Sequence, residues 1–270
     1  AGTMGSGIAV CFLRAGYRVI LLDSNEGSLE RGKASITKII TQDVTKGRMT
    51  KAQAFKILQH NFTSGCDMSS PALGFANCAL VIEAVFESLD VKRSIFTQLD
   101  TIITNPHALL LSNTSTLSID SIISVLPPPR REYCAGMHFF SPAHVMKLVE
   151  IVKSSHSSVE TITTLQTIVK RKLGKVGVVV GNCEGFVGNR MIGPYSAEAV
   201  FVLQEGGASV SGLDGALSGF GMAIGPMAMG DLAGNDVGYL IRKSKGLVKD
   251  PKTGAVPLSR RGRRDTDLAD

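Results

Sequence analysis

The sequence begins with Ala1-Gly2-Thr3-Met4-Gly5-Ser6-Gly7, and the apolar run Arg18-Val-Ile-Leu-Leu-Asp23 follows ten residues later. The first stretch matches G-x-G-x-x-G without its first glycine, and the second reads as a short buried strand that ends in an acid. A glycine loop, a helix, a strand and an acid in this order are typical of a dinucleotide-binding unit. We therefore predict such a unit, in which the strand before the loop and the first glycine are missing.

The residues of this unit have distinct expected roles. Gly2 lets the backbone approach a pyrophosphate, and Gly5 lets the helix pack close to the sheet. The helix N-terminus offers free N–H groups and the positive end of its dipole to the phosphates. Asp23 would accept hydrogen bonds from both ribose hydroxyls and repel a 2′-phosphate, which favours NAD over NADP. The alternative is an ordinary glycine-rich turn.

Strand-like and helical segments alternate along the chain up to about residue 182. Residues 25–60 are polar and helical in pattern, which indicates a helical pair longer than a standard crossover. Strands that alternate with helices favour a parallel sheet with helices on both faces. The predicted fold of residues 1–182 is therefore an α/β, Rossmann-like, doubly wound sheet that lacks its first strand. The predicted strands are 18–23, 79–83, 108–112, 133–138, 147–152 and 175–180.

The pattern changes after residue 182, because no convincing strand follows. We predict an all-α C-terminal domain over residues 183–248, in which glycines separate the helices. Residues 249–270 are polar and basic with few apolar side chains, so we expect a loose tail. The predicted helices of the C-terminal domain are 186–205, 209–220 and 226–245.

The composition argues against several classes of protein. Apolar residues make up 44% of the 270 residues, yet no uninterrupted apolar run is long enough for a membrane span. The five cysteines are odd in number and lack metal-ligand spacing, so we expect reduced thiols and no metal. The net charge is +6, partly from Arg260-Arg261-Gly-Arg263-Arg264. No aromatic residues interleave with this cluster, so we expect a solvated tail and no nucleic-acid partner.

His138 and Glu150 are the first candidates for chemistry beyond cofactor binding. His138 ends a predicted strand, where doubly wound folds bind their ligands. A histidine can take a proton from an alcohol near neutral pH, and a carboxylate can hold its imidazole in the required tautomer. Glu150 lies on the next predicted strand, so the two side chains could pair across neighbouring strands. A structural histidine beside aromatic residues is the alternative.

Two further polar segments could face a ligand. Ser112-Asn113-Thr114-Ser115 follows a predicted strand and would place short polar side chains at the same edge of the sheet. Its alternative is a simple cap for the helix that follows. Asn189 lies in an otherwise apolar helix, where it could donate to a substrate oxygen or form a hydrogen bond between helices.

Together these segments resemble the L-3-hydroxyacyl-CoA dehydrogenase family, from residue 1 to about residue 245. The resemblance implies NAD as the cofactor and the oxidation of an L-3-hydroxyacyl-CoA to a 3-ketoacyl-CoA. The matching segments are His138-Phe-Phe-Ser-Pro-Ala-His-Val-Met-Lys-Leu-Val-Glu150, Ser112-Asn113-Thr114-Ser115, Gly185-Phe-Val-Gly-Asn189-Arg190, Val81-Ile-Glu-Ala-Val-Phe-Glu87 with Lys92, Phe220-Gly-Met-Ala-Ile-Gly225-Pro226, and Asp231-Leu-Ala-Gly-Asn-Asp-Val-Gly238.

The resemblance also implies the roles of individual residues. A histidine would act as the base, a glutamate would orient it, and a serine and an asparagine would bind the reacting oxygen or the thioester carbonyl. The residues implied for catalysis are His138, Glu150, Ser115 and Asn189, and those implied at the cofactor are Gly2, Gly5, Asp23, Glu87, Lys92 and Asn113.

Residues 141–147 and 177–183 are most similar to members of the family in peroxisomal bifunctional enzymes, where an enoyl-CoA hydratase module precedes the dehydrogenase. This implies an acyl-CoA substrate, fusion to a hydratase module or a homodimer, and a peroxisomal location. Leu268-Ala269-Asp270 is not a Ser-Lys-Leu type signal, so a mitochondrial or cytoplasmic location stays open. Two other functions also stay open: a non-catalytic, truncated fragment that binds an acyl-CoA or a partner, and a related dehydrogenase of a non-CoA hydroxy acid.

Overall fold

The computed structural model of the chain describes residues 1–233. The chain divides into two compact units, Ala1–Val187 and Gly188–Asp270. No helix within the described residues is long and apolar enough to cross a membrane.

The first unit alternates strands with helices. Two π-helical segments, Ile57–Asn61 and Ile168–Lys172, extend the helices that precede them. Its regular elements are α1 (Thr3–Arg14), β1 (Val19–Leu22), α2 (Glu26–Thr45), α3 (Lys51–Lys56), β2 (Phe62–Gly65), β3 (Leu80–Glu83), α4 (Leu89–Ile102), β4 (Leu109–Ser112), α5 (Ile119–Ile123), α6 (Pro128–Arg131), β5 (Cys134–Phe139), β6 (Leu148–Lys153), α7 (Val159–Thr167) and β7 (Val176–Gly181).

Side chains at the helix starts explain where the helical pair α2–α3 begins and resumes. The Asn25 side chain accepts a hydrogen bond from the backbone N–H of Ser28 at the start of α2. Thr50 and Gln53 form a reciprocal capping box at the start of α3. Both devices satisfy N–H groups that have no partner within the helix, so the polar stretch 25–60 folds as the predicted helical pair.

The strands form two sheets, one of two strands in the order β1-β2 and one of five in the order β3-β4-β5-β6-β7. All pairs are parallel except β5 with β6. In the Rossmann order, the strand before the glycine loop lies between the positions of β1 and β3. Here β1 and β3 belong to different sheets, as expected for a unit described without that strand. The Rossmann-like fold is confirmed.

The antiparallel pair β5–β6 departs from the parallel sheet that we predicted. Residues 140–147 connect the two strands. A parallel neighbour needs a crossover of a dozen or more residues, so a connection of this length brings the chain back in the opposite direction.

The strand β2 was not predicted from the sequence. It follows the π-helical segment directly and pairs with β1 in parallel, with Val19 opposite Phe62 and Leu22 opposite Gly65. Its sequence Phe-Thr-Ser-Gly has a single strongly apolar residue, which explains why hydrophobic periodicity gave no signal.

The close contact that we expected at Gly5 lies instead at Gly7. A Cβ on Gly5 would have no atom within 4 Å, whereas one on Gly7 would lie 3.1 Å from the Cβ of Ala143. Residues 6–13 of α1 are buried, and residues 8–13 join apolar clusters with the strands. Gly7 therefore allows the first helix to lie against the segment that follows β5.

The second unit is helical where it is described. Its helices are α8 (Gly188–Gln204), α9 (Val210–Phe220) and α10 (Pro226–Ala233), which confirm the first two predicted helices and the start of the third. The Asp214 carboxylate accepts hydrogen bonds from Met227 N and Ala228 N at the start of α10. The rest of the predicted helix 226–245, the tail 249–270 and its arginine cluster lie outside the described residues.

Candidate active site

The carboxyl ends of three neighbouring strands bring the predicted polar residues together. Glu83 and Ser112 are the last residues of the parallel strands β3 and β4, and they are register partners. Ser112 is in turn the partner of Gly136 on β5, two residues before His138. In open α/β sheets, this edge is where ligands bind.

His138 and Glu150 form a buried pair across β5 and β6. They are direct register partners, and Nδ1 of His138 lies 2.8 Å from Oε2 of Glu150. The residues are only 5% and 1% exposed. The expected cross-strand pairing is therefore present. A carboxylate accepts a hydrogen bond from Nδ1–H, which leaves Nε2 of the neutral imidazole free to accept a proton.

Residues just before the second unit complete the surroundings of this pair. Val187 N donates to Oε1 of Glu150 at 3.0 Å, so both carboxylate oxygens are engaged. The buried ring of Phe186 lies 5.8 Å from the imidazole, and the ring of the half-buried Phe140 lies 4.6 Å from it. Phe186 has a φ of 46°, a conformation that bulky residues seldom adopt. Sequence patterns gave no signal for this contact.

A closed ring of hydrogen bonds and ion pairs among five residues lies behind the strand ends, and we call it the polar ring. Lys92 Nζ lies 2.8 Å from Oε1 of Glu83 and 3.2 Å from Oε2 of Glu87. Oε1 of Glu87 accepts a hydrogen bond from Oγ1 of Thr114. Thr114 N donates to Oγ of Ser112 at 3.2 Å, and that hydroxyl donates to Oε2 of Glu83 at 2.7 Å. Four of these five residues are at most 4% exposed; the Glu87 side chain is 35% exposed.

Glu87 carries the negative charge that this ring presents to solvent. Burial alone would raise the pKa of Glu87, but the hydrogen bond from Thr114 and the nearby Lys92 ammonium outweigh it and hold the pKa below its usual value. Ser115 N and Thr116 N also donate to its Oε1. The carboxylate therefore stays ionised and fixes the loop that follows β4.

Asn113 links the polar ring to the strand that carries His138. Its N–H donates to the carbonyl of Glu83 at 2.8 Å, and its Oδ1 accepts from Phe139 N at 2.8 Å. Ser118, and none of residues 112–115, caps α5 by accepting from Ser121 N. The capping interpretation of the segment 112–115 is therefore wrong, because its polar groups bond to β3, β5 and Glu87.

The glycine loop and Asp23 lie at the start of α1 and the end of β1. Gly2 is the N-cap of α1 and makes no side-chain cap, and a Cβ on it would have no atom within 4 Å. Asp23 follows β1 directly, and its Oδ1 accepts from Asn25 N at 2.9 Å. The hydrogen bond that Asn25 N donates favours the ionised form of the Asp23 carboxyl group. An uncapped helix start beside an ionised acid fits the pyrophosphate and ribose of a dinucleotide.

Of the predicted site residues, Lys92 is enclosed by its neighbours, and Asn189 lies in the second unit. The Lys92 side chain is 1% exposed and its ammonium faces Glu83, Glu87 and the carbonyl of Val85. Asn189 is the second residue of α8 and belongs to the second unit. Its role stays a prediction.

Residues 1–183 match the family model described as 3-hydroxyacyl-CoA dehydrogenase, NAD binding domain, and residues 185–263 match the one described as its C-terminal domain. The chain belongs to the 3-hydroxyacyl-CoA dehydrogenase family. The family that the sequence motifs suggested is thus confirmed, and NAD is the cofactor of this 3-hydroxyacyl-CoA dehydrogenase domain.

Curated proteins and solved structures align with most or all of this chain. The peroxisomal bifunctional enzyme of Cavia porcellus is 42% identical over 270 residues, which make up 100% of this chain and 36% of that protein. FadB2 of M. tuberculosis has a TM-score of 0.83 and 32% identity, over 96% of this chain and 89% of that one. The 3-hydroxybutyryl-CoA dehydrogenase of Escherichia coli has a TM-score of 0.81 and 35% identity, over 90% and 50%. This chain spans about a third of the length of the curated relatives that it matches.

Proposed function

We propose that this chain catalyses the NAD-dependent oxidation of L-3-hydroxyacyl-CoA to 3-ketoacyl-CoA, a step of fatty-acid β-oxidation. The observation that carries the proposal is the buried His138–Glu150 pair at the carboxyl end of β5, with 2.8 Å between Nδ1 and Oε2. Membership of the 3-hydroxyacyl-CoA dehydrogenase family supports the reaction class.

In this mechanism, His138 moves the proton. Nε2 accepts the proton of the 3-hydroxyl group, while bound NAD supplies the acceptor for the hydride from C3. Glu150 holds the imidazole with Nδ1–H toward its carboxylate and stabilises the imidazolium that forms. The rings of Phe140 and of the buried Phe186, 4.6 and 5.8 Å from the imidazole, would help to exclude water from the surroundings of the pair.

We propose that the other predicted residues bind the two ligands. The start of α1 at Gly2 and Gly5 would hold the pyrophosphate of NAD, and Asp23 would hold the ribose. Glu87 and Asn113 are at the same edge of the sheet and would contact the cofactor, with Lys92 acting through Glu87. Ser115 and Asn189 would donate to the reacting oxygen or the thioester carbonyl.

The domain roles follow from this assignment. Residues 1–182 would bind NAD, residues 183–248 would bind the acyl-CoA and provide a dimer contact, and residues 249–270 would form a basic tail. A peroxisomal location is supported by the named location of relatives with 38–42% identity. An enoyl-CoA hydratase, as a module fused to the chain or as a separate enzyme, would supply the 3-hydroxyacyl-CoA.

The test is the reduction of acetoacetyl-CoA by NADH, with the 270-residue chain and its His138→Gln variant. Loss of the base should lower kcat by about 100- to 10,000-fold. His60→Gln, at an exposed histidine in the π-helical segment after α3, is the control and should keep full activity. Retained turnover in His138→Gln would refute the assignment of the base.

Two other outcomes would point to a different function. A folded wild-type chain, judged by far-UV circular dichroism, that neither binds NADH nor reduces acetoacetyl-CoA would be a non-catalytic fragment. Turnover of a free 3-hydroxy acid with a higher kcat/KM than its CoA thioester would make the chain a dehydrogenase of non-CoA substrates.

A further inference from the structure

Lys92 has no ammonium proton left for a ligand where the structure places it. Its Nζ lies 2.8 Å from Glu83 Oε1, 3.2 Å from Glu87 Oε2 and 3.5 Å from the carbonyl of Val85. An ammonium group has three protons, and these three acceptors account for them. The side chain is 1% exposed, so Lys92 acts on a ligand only through its neighbours.

Glu83 holds Lys92 in place and is the most enclosed member of the polar ring. Its side chain is 0% exposed and receives three donors: Lys92 Nζ, Val85 N at 2.6 Å and Ser112 Oγ at 2.7 Å. The same residue accepts Asn113 N at its backbone carbonyl. Glu83 therefore joins the ends of β3 and β4 to the helix α4, which carries Lys92.

The polar ring transmits the position of Glu83 to groups at the surface. One branch runs through Lys92 to Oε2 of Glu87, and the other runs through Ser112 and Thr114 to Oε1 of the same carboxylate. Glu87 is the one member of the ring with a substantially exposed side chain. Both of its oxygens are thus fixed by residues that Glu83 orients.

We propose that Glu83 is a positioning residue for the dinucleotide: it orients Lys92 and Ser112, and through them it sets the Glu87 carboxylate and the loop after β4 against the cofactor. The inference rests on the proposed function, because it takes the ligand at this edge of the sheet to be NAD. Outer partners that orient binding groups commonly change affinity or activity by about 10- to 100-fold when they are removed.

The variant Glu83→Gln tests this role with little change in volume. An amide has one acceptor oxygen, so its NH₂ group must face either Lys92 Nζ and Val85 N, which only donate, or the Ser112 hydroxyl, which would then have to accept and would lose its present acceptor. We expect the Kd of NADH, measured by fluorescence titration of the 270-residue chain, and the KM for NADH to rise by roughly tenfold. The kcat at saturating NADH should change little, because the His138–Glu150 pair is held by separate contacts.

A double variant separates positioning from a purely structural role. Glu83→Gln with Lys92→Met removes both partners of the buried pair, so the melting temperature should recover relative to Glu83→Gln alone. The Kd of NADH should stay raised, because Glu87 then lacks its ammonium partner. Recovery of both quantities would overturn the proposal, since it would show that Glu83 serves only to neutralise a buried lysine.

Asp43→Asn is the matched control for removal of a buried carboxylate. Asp43 is 3% exposed and pairs with Arg14 at the far end of α1, outside the polar ring. Asp43→Asn should lower the melting temperature and leave the Kd and KM of NADH unchanged. If Glu83→Gln fails to fold, Ser112→Ala cuts one branch of the ring with a smaller change and should still raise both constants.

The outcomes for this inference and for the proposed function are distinct. Unchanged NADH binding in both Glu83→Gln and Ser112→Ala, with an active wild-type chain, would overturn the positioning role and leave the proposed function intact. A folded wild-type chain without NADH binding or turnover would overturn both.

Discussion

The variant Glu150→Gln tests how the carboxylate beside His138 contributes to the reaction. In the structure, Oε2 of Glu150 faces Nδ1 of the imidazole at 2.8 Å, and Oε1 accepts Val187 N at 3.0 Å. A glutamine keeps the volume but supplies one acceptor oxygen and one NH₂ group. One of the two facing groups must therefore lose its acceptor.

Either orientation of the amide impairs the base. If NH₂ faces Nδ1, the imidazole carries its proton on Nε2 and cannot accept one from the substrate. If NH₂ faces Val187 N, two donors oppose each other in a buried site, which costs about 1–3 kcal/mol. Where NH₂ faces Nδ1, the imidazolium also loses a charge-assisted hydrogen bond of about 1.5–3 kcal/mol, or about 10- to 150-fold in rate. Where the amide oxygen faces Nδ1, that hydrogen bond remains, but the negative charge that stabilises the imidazolium is lost. With the tautomer effect, we expect kcat to fall by roughly 100- to 1,000-fold.

The assay is steady-state reduction of acetoacetyl-CoA at saturating NADH, together with NADH titration and far-UV circular dichroism. The Kd of NADH should not change, because the two oxygens of Glu150 bond to His138 and Val187, whereas the polar ring is formed by other residues. Glu160→Gln is the control, because Glu160 is exposed in the first turn of α7. A folded Glu150→Gln variant with kcat within about tenfold of wild type would refute the role of the pair.

Three further predictions concern single ionisable groups. Asp23→Ala should lower the ratio of kcat/KM for NAD over NADP by about tenfold, and an unchanged ratio would contradict the ribose contact. The pKa of Glu87 is depressed, so its contribution to the free energy of unfolding should be full above its usual value of 4.5 and be lost as the pH falls below it. Urea unfolding of wild type and Glu87→Gln along a pH series measures this, and a pH-independent difference would refute it. Burial raises the pKa of Cys134 to about 12, so a thiol reagent should label the exposed Cys66 long before Cys134 in the native chain. Mass spectrometry of the labelled peptides measures the order of labelling, and labelling of Cys134 before Cys66 would contradict the prediction.

The sequence predicted the parts of the fold that depend on local pattern. Glycine, helix, strand and acid between residues 1 and 23 marked a dinucleotide-binding unit, and the structure has α1 and β1 there. Apolar runs also predicted β3 and β4, because parallel strands inside a sheet have nearly continuous apolar sequences.

The predictions that failed depend on distant parts of the chain. The direction of β6 follows from the length of its connection to β5, which a list of strands does not express. Gly7 rather than Gly5 makes the close contact, because its neighbour Ala143 lies on another segment. Ser118 caps α5, which frees Ser112 and Thr114 for the polar ring.

The sequence predicted the pair His138–Glu150, but it did not predict the contacts that hold Glu83 in the polar ring. The spacing of His138 and Glu150 on adjacent strands indicated a pair, which the register confirms. The sequence segment that contains Glu83 was noted only for its resemblance to a cofactor site. Its three donors come from β4, α4 and the next loop, and no spacing rule brings these together.

The antiparallel pairing of β5 and β6 makes the proton-transfer pair a property of the backbone ladder. His138 and Glu150 sit opposite each other because their strands are in register, and the ring of Phe140 in the connection packs against the imidazole. Beyond Phe140, the connection can therefore vary in length and sequence during evolution without moving either group, provided the ladder holds. The same pair could therefore be built into another sheet by introducing both strands with their register unchanged. Substitutions in the connecting segment could then change which substrates the site binds while the pair stays in place.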